Sequence, residues 1–247
     1  MTSPAKRLRL DRLLSNMGYG SRKEIEHLAR VGLITLDGAP LSKADERIAI
    51  SDDLAGRMVV DGEPLDPPPG MTIMLHKPVG CTCSRKEAGP LVYDLLPPRW
   101  RRREPALSTV GRLDKDTSGL LLLTDDGGLL HRIISPKHHV AKRYRATLAR
   151  PLRGDEAIIF AAGELLLEGE DKPLLPAILE PLSATEAYVT VTEGRYHQVR
   201  RMFAAVGNHV EALHRDRIGQ LVLPESLAPG ELRVLGATEV ALIIPPA

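Results

Sequence analysis

The chain has 247 residues, 43% of them hydrophobic and 26% charged, which suits a globular protein with one large domain or a small and a medium one. A net charge of +1 by itself says nothing about nucleic acid, and with only 3% aromatic residues any such binding cannot rest mainly on an aromatic stacking platform. No apolar run is long enough to cross a bilayer and the first residues lack a signal-peptide core, so a cytoplasmic protein with no membrane partner is expected.

The first elements are short. Leu10, Leu13 and Leu14 recur at helical spacing, and a second helix opens on a capping box, with Ser21 at the N-cap and Glu24 three residues on. Ile25, Leu28 and Ala29 line its apolar face, and Gly32 supplies the stop. An apolar strand over residues 33–36 turns at Asp37-Gly38, and Asp61-Gly62 repeats the device. Arg9, Arg12, Arg22 and Lys23 place positive charge on both helices, the residues expected to meet RNA phosphates. These elements make up a domain over residues 7–66. The prolines at 67–69 read as a semi-rigid linker over 67–70, ahead of a second domain over 71–245.

In that second domain residues 73–75 and 189–191 read as strands, and 120–123 as a buried one. Leu129, Leu130, Ile133 and Ile134 form a helical stripe that Pro136 ends, with Thr124 and Asp125 as cap candidates. Val199, Met202, Phe203 and Val206 form another before Gly207-Asn208. The fold class is therefore α+β, with a mixed, largely antiparallel sheet and flanking helices. Cys81 and Cys83 are too few for a disulfide framework and lack zinc-ligand spacing, and no glycine-rich nucleotide loop is present. No cofactor or metal is expected. Asp114, between Arg112 and Lys115 and just ahead of the buried strand, is a candidate nucleophile or base. On residue type alone a turn aspartate is the simpler reading, and Asp116, Asp125 and Asp126 compete equally.

The residues Arg9-Leu10-Asp11-Arg12, the Ser21 helix start and Gly32 to Gly38 together resemble the S4 RNA-binding domain. Gly111-Arg112-Leu113-Asp114, followed by Thr117-Ser118-Gly119-Leu120, Thr124, Asp126 and Gly127, resembles the signature of the pseudouridine synthases. Leu75-His76-Lys77-Pro78, Ala141-Lys142-Arg143-Tyr144 and Glu193-Gly194-Arg195-Tyr196-His197-Gln198-Val199-Arg200-Arg201 resemble further segments of that family. The resemblance implies Asp114 as nucleophile, Tyr144 over the base, and an ion pair from Arg200 to Asp114, with Arg201 second. It also implies an apolar wall from Val199 and Leu213, with Arg112 near the RNA backbone. The implied reaction breaks the N1–C1′ bond of a uridine, turns the uracil and rebonds it through C5, on a base taken out of its stack.

The wording of residues 135–139, 195–210, 214–219 and 227–231 resembles the branch of the S4-bearing synthases that acts on the small ribosomal subunit. This implies 16S rRNA, free or in a partly assembled subunit, as substrate and partner. A large-subunit target, a non-catalytic assembly factor and a histidine-based metal hydrolase are the competing readings. With no long apolar patch or heptad, a monomer is expected.

Overall fold

A computed structural model describes residues 7–244 and divides the chain into two compact units. The first takes the chain up to Thr72 and adds Leu96–Ser108 and Thr124–Asp126; the second holds the rest. The prolines therefore do not part the chain in a single cut.

In the first unit β1 (Arg7–Arg9) leads into α1 (Leu10–Asn16) and α2 (Arg22–Arg30). Then come β2 (Ile34–Leu36), β3 (Ala39–Pro40), β4 (Arg47–Ala49), α3 (Leu54–Arg57), β5 (Met58–Val60) and β6 (Glu63–Pro64). The capping box forms: Ser21 Oγ accepts from the Glu24 amide at 3.4 Å, and Glu24 accepts from the Ser21 amide at 2.6 Å. Strand β1 pairs with β4, and the other strands run in the order β3-β2-β5-β6. Leu10, Leu13, Leu14, Ile25, Ile34 and Met58 are fully buried between these layers. Removing each such side chain from water stabilises the unit by roughly 1.5–3 kcal/mol.

The segment Leu96–Ser108 is fixed to this unit by charge. Arg99 pairs with Asp66 at 2.5 Å and lies over the Tyr19 ring, whose hydroxyl accepts from the Asp66 amide. Arg103 and Asp125, each with a side chain 2% exposed, pair at 3.1 Å. Arg103 also donates to the Pro67 carbonyl, and Asp125 accepts from the Gly70 amide. The stretch read as a linker is thus held at both ends by distant residues. Gly18 permits the approach: its φ is +87°, and a Cβ there would lie 2.5 Å from the Arg99 carbonyl oxygen.

The remaining strands are β7 (Thr72–Lys77), β8 (Ser108–Thr109), β9 (Thr117–Thr124), β10 (Lys142–Leu148), β11 (Ile178–Pro181), β12 (Glu186–Val191), β13 (Val210–Ile218), β14 (Leu221–Val222) and β15 (Leu232–Val234). They form one mixed sheet in the order β11-β12-β10-β13-β9-β7-β15, with β14 on β13 and β8 on β9. Strand β10 is antiparallel to β12 and β13, whereas β13 runs parallel to β9. The helices are α4 (Gly127–Ile134), α5 (Glu156–Ala162), α6 (Gln198–Ala205) and α7 (Ala237–Ala241). The apolar stripes of α5 and α6 meet Ala146, Val189, Val191 and Leu213 in one core. Leu129 and Ile133 of α4 meet Leu120, Leu122 and Ile218 in another. At the seam of β9 and β13 stands Gly119, with φ +111°; a Cβ there would lie 2.2 Å from the Arg215 carbonyl oxygen. No other residue type fits that backbone approach.

Candidate active site

Asp114 lies in the loop that enters β9, its side chain 34% exposed. The loop is held through its main chain. Lys77, at the end of β7 and 0% exposed, donates to the carbonyls of Pro78, Lys115 and Thr117 at 3.0, 3.3 and 2.8 Å. The Gly80 amide donates to Lys115, and Arg200 donates to Asp116 at 3.1 Å. Donors from two separate parts of the second unit, residues 77–80 and α6, thus fix three successive carbonyls beside the carboxylate. Burial pulls the Lys77 ammonium below the ordinary lysine range, against the smaller opposing pull of nearby negative groups, Asp114 and Asp116 among them.

Asp114 opens on a cavity of about 490 Å3 within the second unit, a size ordinary for small-molecule sites. Tyr144, Val199, Leu213 and Arg112 line it as well, so most of the side chains that the resemblance assigns to the site share one hollow. Lys142 and Tyr144 come from β10, Leu213 and Arg215 from β13, and the period of two that points them to one face explains the pairing. Val199 is buried on the first turn of α6. Arg112 is exposed at its place beside Asp114.

The expected ion pair differs. Arg200 donates to the Val210 and Asp116 carbonyls, and Arg201 is engaged by Glu170 at 2.8 Å and by the Glu168 and Tyr196 carbonyls. Neither lines the cavity. Among the described residues the basic side chain within ion-pair distance of Asp114 is the imidazole of His197, with Nε2 at 3.4 Å from Oδ1. His197 adopts a left-handed conformation, φ +49°, at the N-cap of α6, and the ring of Tyr196 stacks on it at 3.9 Å. A non-glycine residue held there is strained by about 1–3 kcal/mol, and here the strain aims an imidazole at the carboxylate.

Of the basic residues expected at RNA, Arg12, Arg22 and Lys23 are exposed on the helices of the first unit. Arg9 forks onto Asp11 at 3.1 and 3.0 Å, which neutralises part of its charge. Among the described residues no three His, Cys, Asp or Glu side chains gather as a metal site, and no helix is long and apolar enough to cross a membrane. Cys81 and Cys83 are free and buried.

The family model for RNA pseudouridylate synthase matches residues 71–205, and the S4 domain model matches residues 8–54. The chain belongs to the RNA pseudouridine synthases. Ribosomal small subunit pseudouridine synthase A of Escherichia coli K12 is 42% identical over 241 residues, 96% of this chain and all of that one. An uncharacterized RNA pseudouridine synthase of Bacillus subtilis is 40% identical over 97% of this chain and 99% of its own length. A crystal structure of a pseudouridylate synthase superposes with a TM-score of 0.67 at 39% identity, covering 96% of this chain and 100% of that one. This synthase therefore combines an S4 domain with a catalytic domain of α+β class. Three of its pocket or loop residues escaped sequence reading: Lys77, His197 and Arg215. All three lie in motifs that drew attention, but only the tertiary fold shows what each side chain touches.

Proposed function

We propose that this synthase converts a uridine of 16S rRNA, in the small ribosomal subunit, to pseudouridine, with Asp114 as the nucleophile acting on a flipped-out base. The observation that carries the reading is Asp114 at a cavity shared with Tyr144, Val199 and Leu213. It stands in a chain that is similar over 96% of its length to a small-subunit synthase. The geometry suits the chemistry. A carboxylate on a pinned loop stays oriented while the uracil turns, and the half-buried Tyr144 offers a ring to stack on the base. Val199 and Leu213 keep water from the reacting face. Arg200 serves here as a positioning residue for the Asp114 loop, through the Asp116 carbonyl. Arg12, Arg22 and Lys23 supply phosphate contacts from the S4 domain, which sets affinity but carries no sequence information. Flipping the base costs a few kcal/mol, about what such contacts repay.

The test is a pseudouridine map of both rRNAs from a strain lacking the gene. One site should vanish from the small-subunit RNA and return on complementation. A site lost only from the large-subunit RNA refutes the assigned target, and no lost site refutes the rRNA reading.

A further inference from the structure

Two cations that line the cavity, Arg215 and Lys142, make no ion pair among the described residues. Arg215 is 2% exposed, yet among the described residues no acidic group lies within ion-pair distance of it. Its Nε donates to the Leu120 carbonyl at 2.8 Å, and Nη1 donates to the Tyr144 hydroxyl at 3.3 Å. Nη2 is buried and has no partner, and neither has the buried hydroxyl of Thr117, another residue of the same cavity. Lys142, also lining the cavity, donates only to the Val140 carbonyl, at 2.9 Å. Its ammonium is pulled down to about 8, by burial first and by the nearby Arg215 second. A buried guanidinium N–H left unmade is costly, and two like charges at one site raise the cost. Such an arrangement persists where a ligand completes it.

We propose that Arg215, assisted by Lys142, is a further catalytic residue that carries the negative charge developing on the uracil as it leaves C1′. The proposal rests on the pseudouridine reading above. Breaking N1–C1′ leaves both bonding electrons on the ring, shared by N1, O2 and O4 and, through the ring, by C5; C1′ becomes electron-poor and is compensated by Asp114. When C5 attacks C1′ the pair returns to the new bond. The C5 proton then leaves and N1 gains one, so that product and substrate are isomers. The charge exists only between these two bonds. A preorganised, water-poor donor aimed at it stabilises the barrier rather than the bound substrate. A backbone phosphate is the less fitting occupant: it stays outside the stack, whereas Arg215 sits beside the tyrosine that faces the base. Arg112, exposed on the loop, suits a phosphate better.

The test uses full-length protein with transcripts of both rRNAs carrying C5-tritiated uridine, under single turnover. Arg215→Gln should lower the rate at saturating RNA by about 100- to 1,000-fold, as removal of one such donor does. Its Kd should stay within about threefold, and the slope of log Kd against log salt should not change. Arg215→Lys, which keeps the charge, should recover at least about tenfold of that loss. If Arg215 variants do not fold, judged by circular dichroism, Lys142→Met tests the same claim without touching the Leu120 carbonyl; a fall of about tenfold at saturation is expected. A weakened Kd with an unchanged saturated rate, or a salt slope reduced by about 0.7–0.9, assigns the group to a phosphate and overturns the proposal. So does a folded Arg215→Lys as slow as Arg215→Gln, or an unchanged Lys142→Met. Wild-type turnover on the large-subunit transcript alone refutes the assigned target and leaves the role of Arg215 open to the same measurements. No turnover on either transcript refutes the enzymatic reading itself.

Discussion

At the scale of the residue, the site is a set of charges whose partners are main-chain atoms more often than side chains. Asp114 is oriented by what holds the carbonyls of its neighbours, and Lys142 donates to the Val140 carbonyl. Lys142 makes a pH prediction. Its folded pKa, about 8, lies below the ordinary 10.5, so the folded protein sheds that proton first. The native state is therefore penalised below pH 8 and gains stability as pH rises from about 8 to 10.5, because the unfolded chain holds more protons there. Catalysis moves the opposite way. The single-turnover rate should fall as pH passes about 8, by about tenfold per unit, as the ammonium is lost. The other ionisable groups around the cavity are Arg112, Asp114, Tyr144, Glu193, Arg195, Tyr196, His197 and Arg215, so the assignment needs a variant. Lys142→Arg, which stays protonated, should remove the descending limb; a limb that persists assigns it to another group.

At the scale of the element, local pattern predicted local structure well. The capping box, the two Asp-Gly turns and the apolar stripes at 129–134 and 199–203 all lie where the fold has them. What spacing could not convey was which distant segment answers which. The prolines at 67–69 look like a free linker because the groups that fix them, Arg103 and Asp125, lie tens of residues away. Arg103→Ala should cost about 3–5 kcal/mol, since it leaves Asp125 charged and buried. Replacing both, as Arg103→Met with Asp125→Leu, should cost less than half of that in urea melts. Equal losses would mean that the ion pair has no special part in holding the segment.

At the scale of the whole molecule, a near-neutral chain separates its duties. The exposed Arg12, Arg22 and Lys23 lie on one unit, and the cavity with Asp114 lies on the other. Family membership was legible because several separated motifs agree, each supplying a part that moving a glycosidic bond needs. A special place for Asp114 was not legible from its neighbours, since Asp116, Asp125 and Asp126 share its residue type and region; of the four, the fold puts Asp114 at the cavity. The partners of Arg200 were illegible for a related reason: a motif conveys that an arginine stands in the first turn of α6, but not that it reaches the Val210 and Asp116 carbonyls. The central claim remains that Asp114 carries the reaction, and release of tritium from C5-labelled uridine in small-subunit rRNA tests it most directly. Wild type should release one equivalent per RNA, and Asp114→Asn, folded and binding RNA as well as wild type does, should release none; comparable release from both would contradict the account.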